Sequence, residues 1–212
     1  TQSTQLSYRF FRTKYRESML TILPLTGAAI TPYIDALAQL RIAIFKEYPY
    51  LYDGDMAYER RYLHTFRQAP DSLLIVVLDG EAVVGASTAL PLESETPNIR
   101  QPLKEGGYEV EKVFYLGESV LHQAYRGRGL GVRFFEERER WARQLGRFDT
   151  LAFCAVVRPE KHPLRPEAYR PLDDFWHRRG FTPTDMHCFI SWRGLQEEEE
   201  SSKTLRFWVK SI

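Results

Sequence analysis

The chain has 212 residues, of which 43% are hydrophobic and 27% charged, and a formal net charge of +1. This composition is close to the globular average and excludes disordered and fibrous classes, while the near-neutral charge gives no electrostatic case for nucleic acid or an anionic membrane. The longest apolar runs, such as Leu73 to Leu78, fall far short of the roughly 18 residues of a membrane helix, and Thr1 to Tyr15 lacks the apolar core of a secretory signal. Cys154 and Cys188 are the only cysteines, which makes no disulfide framework, and no Cys or His pair has zinc-ligand spacing. A cytoplasmic protein without a metal is expected. Residues 1–18 read as an N-terminal extension and 19–212 as one domain.

Met19 to Leu25 reads as a first strand, ended by Pro24 and Gly27. Thr31-Pro32 then opens a helix through Ile34, Leu37, Ile44 and Phe45, closed by Pro49. Asp55 or a neighbour caps a second helix that runs through Tyr58, Tyr62 and Phe66 to Pro70. Two apolar strands follow, Leu73 to Leu78 and Ala82 to Leu90, joined by Asp79-Gly80 as a hairpin. Pro91 to Gly107 is an excursion with a short helix near Ile99 to Lys104. Val113 to Leu121 is a further strand.

The next helix places Leu130, Phe134, Trp141 and Leu145 on one face, with Glu136–Arg140 and Glu139–Arg143 at i,i+4 on its charged side. Thr150 to Val157 is a strand, Arg158 to Pro171 a Pro-rich loop, and Leu172 to Arg179 a short helix stopped by Gly180. His187 to Trp192 and Leu205 to Val209 close the chain as strands around the acidic run Glu197 to Glu200, a solvated hairpin loop. Interleaved hairpins and crossovers of this kind predict a mixed α/β fold, a central mixed sheet with helices on both faces.

Between strand Val113–Leu121 and the helix beginning at Leu130 lies Arg126-Gly127-Arg128-Gly129-Leu130-Gly131. Glycines at a helix entrance let backbone amides approach a ligand, the first turn carries partial positive charge, and two arginines add full charge. It reads as a pyrophosphate cradle. A P-loop is excluded because Val132-Arg133 stands where Lys and Ser/Thr belong, and the glycine order differs from the dinucleotide fingerprint.

The segment matches the R/Q-x-x-G-x-G/A signature of the GNAT superfamily of N-acetyltransferases, with Arg126, Gly129 and Gly131 in the signature places. The chain resembles that superfamily over about residues 19–210, in a small-substrate branch. The resemblance implies a mostly antiparallel central sheet whose middle strands splay around acetyl-CoA. It assigns cofactor binding to Val120, Leu121, His122, Arg126, Gly127, Arg128, Gly129, Leu130, Gly131 and Val132, with the oxyanion bound by the amide of Leu121 or a neighbour.

Acetyl transfer to an amine needs a neutral amine, a polarised carbonyl and a proton for the thiolate. Glu118, alone among apolar residues near the place where the resemblance puts the thioester, is the expected base; pairing with an arginine such as Arg178 or Arg133 is the structural alternative. Many members supply the thiolate proton from a Tyr in F-Y-x-x-x-G-F. Here the run is Phe175-Trp176-His177-Arg178-Arg179-Gly180-Phe181, and an indole N–H donates a hydrogen bond but is no acid. His177, Tyr115, Tyr169, water or no group at all are the replacements.

Tyr50 and Tyr52, with Tyr48, Asp53 and Asp55 around them, suit a cationic or aromatic amine, and Trp176 is the third expected acceptor-binding residue. The loop with His162, Arg165 and Tyr169 favours an acidic acceptor instead. The expected partners are acetyl-CoA and an amine of a small molecule or peptide, with no nucleic acid and no membrane, and a homodimer is admitted. Direct attack in a ternary complex is expected. A longer acyl donor, given room at Gly117 and Ala155, a non-catalytic acyl-CoA sensor, and a site for another nucleotide stay open as alternatives.

Overall fold

The computed structural model describes residues 20–212, so the expected extension 1–18 and Met19 lie outside the described residues. The strands are β1 (Leu20–Leu25), β2 (Leu73–Asp79), β3 (Ala82–Pro91), β4 (Val113–Leu121), β5 (Thr150–Val156), β6 (Thr182–Arg193) and β7 (Glu200–Ser211). The helices are α1 (Ile34–Phe45), α2 (Met56–Gln68), α3 (Pro97–Glu105), α4 (Leu130–Leu145) and α5 (Asp173–His177). One seven-stranded sheet runs in the order β1-β2-β3-β4-β5-β7-β6.

Every pairing is antiparallel except β4–β5, which is parallel and joins only Val113 to Thr150, Phe114 to Leu151 and Tyr115 to Ala152. Past that point the two strands diverge. Helices cover both faces, so alternate strand residues enter opposite cores and the strands read as continuous apolar runs. Leu74, Val76, Val113 and Tyr115 join the face of α1, α2 and α3. Leu73, Ile75, Phe114 and Leu116 join the face of α4.

Several boundaries differ from the sequence reading for identifiable reasons. Pro24 lies inside β1 opposite Ile75 rather than ending it, because β1 is an edge strand where a missing N–H is tolerated. Pro32 sits in a 3₁₀ turn over Gly27–Tyr33, and α1 begins only at Ile34. Gly27–Phe45 as a whole is a 19-residue helical stretch of mean hydropathy 1.2, long and apolar enough by length and composition to cross a membrane. Interspersed Asp35, Gln39 and Arg41 hid it from a search for unbroken apolar runs, and its Ile30, Leu37 and Ala38 are buried in the core. Asp55 caps α2 as expected, accepting a bond from Tyr58 N at 2.8 Å.

On α4 the buried row is Leu130, Phe134, Arg138 and Ala142, an i,i+4 series, while Trp141 and Leu145 are only half-buried. Glu139 pairs with Arg143 as expected, but Arg140 pairs with Glu137 rather than Glu136, which goes to Arg133. Arg138 is 2% exposed, and its Nη1 donates to the carbonyls of Thr88 (3.4 Å) and Glu118 (3.5 Å). Burial pushes that guanidinium down to about 9 against the opposing charge of Glu118.

A second buried arginine joins α1 to α2. Arg41 forms ion pairs with Glu59, fully buried on α2, and with Glu118 on β4. Burial works against the Arg41 charge, but Glu118, Tyr62 and Glu59 outweigh it and hold the guanidinium charged. Removing one partner of a buried pair strands the others in low dielectric. Arg41→Met is therefore expected to lower the unfolding free energy by about 3–5 kcal/mol, measured by urea denaturation; a loss below about 1 kcal/mol, the range of a surface pair, would show that water already screens this site.

Candidate active site

The site is assembled around a bulge. β3 and β4 pair as Ser87 with Ser119 and then as Ala89 with Leu116, so Gly117 and Glu118 together oppose Thr88. Simple alternation from Tyr115 would put Glu118 on the α4 face beside Phe114 and Leu116. The extra residue shifts the phase, and Val120 joins the α1/α2 core with Tyr115. Glu118, two residues before Val120, faces the same way and meets Arg41 and Tyr62 there. Thr88 Oγ1 accepts the Glu118 N–H at 3.1 Å, and Ser87 Oγ donates to the Glu118 carbonyl at 2.8 Å, so groups freed by the bulge are satisfied.

The bulge also aims backbone amides. His122 N donates to Val84 O at 2.9 Å, which marks one hydrogen-bonded pair of the antiparallel ladder. Counting back by alternation, Val120 faces β3 and the amides of Ser119 and Leu121 face the other way, toward the gap where β5 has diverged. Two backbone donors, Ser119 and Leu121, thus face the gap.

The turn after β4 is glycine-rich and basic. Gly127 and Gly129 have φ of 76° and 81°, in the left-handed region that favours glycine, and Gly129 caps α4 with no side chain bonded to the first-turn amides. A Cβ on Gly131 would lie 3.4 Å from the Phe175 ring, so that glycine lets α5 close over the start of α4. Arg126 donates to the Leu121 carbonyl at 3.0 Å and pairs with Glu47 at 2.8 Å, while Arg128 lies over the Tyr125 ring. His122 Nδ1 accepts from Ala124 N, a positional role. Val120 and Leu130 are buried and offer a ligand only their backbone; Leu121 and Val132 are half-buried. The ten expected cofactor residues therefore lie along one stretch of chain, from the end of β4 to the first turn of α4. Uncapped amides and two arginines fit a pyrophosphate, and the gap fits an extended arm.

On the α1/α2 side the carboxylate of Glu118 is 9% exposed. Its partner is Arg41 from α1, not Arg178 or Arg133; Arg133 is occupied by Glu136 and Glu137. Tyr62 donates to Glu118 Oε2 at 3.0 Å, and burial together with Glu118 pushes that phenol well up. The Tyr50 ring packs on Phe45 at 4.7 Å and Trp192 at 6.0 Å, and Tyr52 reaches Glu59; burial raises both phenols above their usual value. The two candidate rims are one. Arg158 donates to the carbonyls of Pro49 (2.7 Å) and Tyr50 (2.8 Å), and Tyr48 packs on Tyr169 and His162.

Trp176 is elsewhere. It packs edge-on to Phe153 and Trp208 in the α4-side core, on the opposite face of the sheet from Tyr50 and Tyr52. An aromatic helix residue among apolar neighbours on β5 and β7 is drawn into that core by area alone. His177 lies against Trp208 on that same face. Of the expected proton donors, Tyr115 is at the point of divergence, its hydroxyl 3.0 Å from Cys154 Sγ; burial holds the phenol well up. Cys188 and burial keep the Cys154 thiol protonated. Among the described residues no group of three or more His, Cys, Asp or Glu could hold a metal.

Arg41, Arg138 and Glu95 escaped sequence reasoning. Glu95, in the excursion after β3, is 9% exposed. Burial pushes its carboxyl up to about 7, with the like charge of Glu118 adding and Thr96 N–H and Arg100 opposing. It sits in a polar stretch whose periodicity carries no signal; only Leu92 and Ile99, anchored on either side in the core, carry it inside.

Residues 37–166 match the family model described as the acetyltransferase (GNAT) family. No curated protein matches the chain. Among solved structures the fold resembles NAA60 of Arabidopsis thaliana in complex with a bisubstrate analogue, at 15% identity and TM-score 0.59, covering 91% of this chain and 98% of that one. It also resembles the ribosomal-protein-alanine N-acetyltransferase of Brucella melitensis, at 16% identity and TM-score 0.57, covering 90% and 99%. A third is yncA of Salmonella typhimurium, a putative acetyltransferase with its cofactor acetyl-CoA, at 14% identity and TM-score 0.56, covering 91% and 93%. With the family model spanning more than half of its length and taking in the splayed strands and the Gly-Arg turn, the chain belongs to the GNAT family of acetyltransferases.

Proposed function

We propose that the protein is an N-acetyltransferase that moves the acetyl group of acetyl-CoA onto an amine by direct attack. The observation that carries this reading is the gap between β4 and β5, with the Gly127–Gly131 cradle at one end and the Arg41–Glu118–Tyr62 cluster on one side. Acetyl-CoA would supply the activated thioester. Arg126, Arg128 and the first amides of α4 would bind its pyrophosphate, and the Ser119 and Leu121 amides would hold the arm and polarise the carbonyl.

Direct attack is favoured over an acyl-cysteine because Cys154 is buried and its thiol is held protonated, and a thiol is a poor nucleophile beside a thiolate. Acetyl is favoured over a longer acyl group. A Cβ on Gly117 would already meet Thr88 Oγ1 at 2.4 Å and Phe66 at 3.3 Å, so the small residue there marks filled space rather than a roomy pocket. The acceptor cues weigh toward a cationic amine. Arg158 spends its charge on backbone carbonyls and Arg165 stacks on Tyr169, whereas Glu59 and Glu118 share the one guanidinium of Arg41. A cationic amine suits that balance, with Tyr50 and Tyr52 as aromatic walls and Glu118 as the anion that seats it.

Gly129→Glu, which adds a strained backbone and a negative charge at the cradle, is expected to abolish acetyl-CoA binding in calorimetry; retained affinity would move the cofactor elsewhere. Glu118→Gln is expected to lower turnover about 10- to 100-fold, the worth of a hydrogen bond to a charged group, at near-normal acetyl-CoA affinity. Unchanged thiol release from acetyl-CoA in that variant would remove Glu118 from the mechanism.

A further inference from the structure

The chain doubles back after α3 and leaves a cleft of about 450 Å³ between that helix and the segment that leads into β4. This volume falls in the range of small-molecule sites, roughly 300–1,000 Å³. Ile99 and Leu103 anchor α3 in the core, so the other side of the helix, with Pro97, Arg100 and Lys104 at i, i+3 and i+7, forms one wall of the cleft. Tyr108, Glu109 and Glu111 belong to the other.

Both walls are fixed by hydrogen bonds and packing. Gly107, with φ of 91°, donates its N–H to Lys104 O at 3.1 Å, and Tyr108 N donates to Leu103 O at 3.0 Å. The Glu111 carbonyl accepts from Arg147 Nη1 at 3.4 Å, and Tyr108 and Val110 pack on the core. A ligand therefore enters a space that is already formed, which spares it the cost of ordering the walls.

The walls carry opposite charges, and not all of them are used within the protein. Arg100 turns its Nη1 to the Glu93 carbonyl, and Glu109 pairs with Lys112 at 2.9 Å. Among the described residues Lys104 and Glu111 have no ion-pair partner, and although they line the same cleft no ion pair joins them. The cleft thus holds a cation and an anion apart. Arg100 and Lys104 also stand at i,i+4 on α3, where like charges repel. A carboxylate between them relieves that repulsion.

We propose that this cleft binds a small zwitterion, a molecule with one carboxylate and one ammonium, whose carboxylate meets Arg100 and Lys104 and whose ammonium meets Glu111. Pro97, Tyr108 and Val110 supply apolar surface for the carbon chain between the charges. The site is separate from the one described above: the cleft leads into β4 at Val113, whereas the gap opens beyond Tyr115 and the glycine-rich turn follows Leu121. It stands whether or not the protein transfers acetyl groups.

Calorimetric titration of the full chain without acetyl-CoA tests this, with 4-aminobutyrate and 6-aminohexanoate as zwitterions and with hexanoate and hexylamine as controls that carry one charge each. The better-fitting zwitterion is expected to bind about 10- to 100-fold more tightly than either control, because each added charged end makes a charge-assisted hydrogen bond. Lys104→Met and Glu111→Gln are each expected to weaken it at least about tenfold. Both side chains are exposed, so the urea midpoints of these variants are expected to match the wild type. Glu118→Gln, on the proposed acceptor side, is expected to leave the affinity unchanged. Equal affinity for 6-aminohexanoate and hexanoate, or no saturable binding of either zwitterion, overturns the proposal. So does a loss seen in Glu118→Gln and absent in Lys104→Met, which would put the ammonium in the acceptor site instead.

Discussion

The parallel ladder between β4 and β5 ends at Tyr115–Ala152, and the bulge of β4 against β3 begins two residues later. These two facts are mechanically linked. A bulge bends its strand and increases local twist, and a strand bent toward one neighbour cannot stay in register with the other. The bend opens the gap and releases the Ser119 and Leu121 amides into it. It also turns Glu118 to the α1/α2 side. Arg138 secures the arrangement from beneath, donating to the Thr88 and Glu118 carbonyls at the bulge from the buried row of α4.

Charge inside the fold is arranged with the same economy of partners. Arg41 compensates two carboxylates at once, and its guanidinium lies 4.3 Å from the centroid of the Tyr62 ring, whose hydroxyl bonds Glu118. Such a cluster costs desolvation that an apolar core would avoid, and it is a conditional contributor to stability.

The loops after α1 and after β5 depend on a contact between distant segments. Arg158 holds the carbonyls of Pro49 and Tyr50, and Trp192 Nε1 also donates to Tyr50 O at 3.2 Å. Tyr50 is thereby anchored through its backbone, leaving its ring to pack between Phe45 and Trp192. The loops after α1 and after β5, separated by more than a hundred residues, act as one wall.

Element types and most element bounds were legible in the sequence because local rules govern them: apolar runs of strand length, an Asp cap at α2, and Asp79-Gly80 at a hairpin. The Gly127–Gly131 turn was legible for the same reason, since positive φ and an uncapped helix start demand particular residues at fixed spacing. What lay beyond reach was whatever depends on phase or on long-range neighbours. Alternation along β4 is the only sequence guide to where Glu118 points, and a single extra residue against Thr88 reverses it. Trp176 was read as an acceptor residue from its place in a motif, yet Phe153 and Trp208 draw it into the other core. Arg138 and Glu95, charged residues that sequence reasoning assigns to solvent, are buried because apolar neighbours on the same element or loop carry them inside. The sequence by itself determined the strands, the helices and the glycine-rich turn, because backbone geometry is set by nearest neighbours; tertiary structure alone decided which buried charges pair with which, because that balance is struck between residues on different elements.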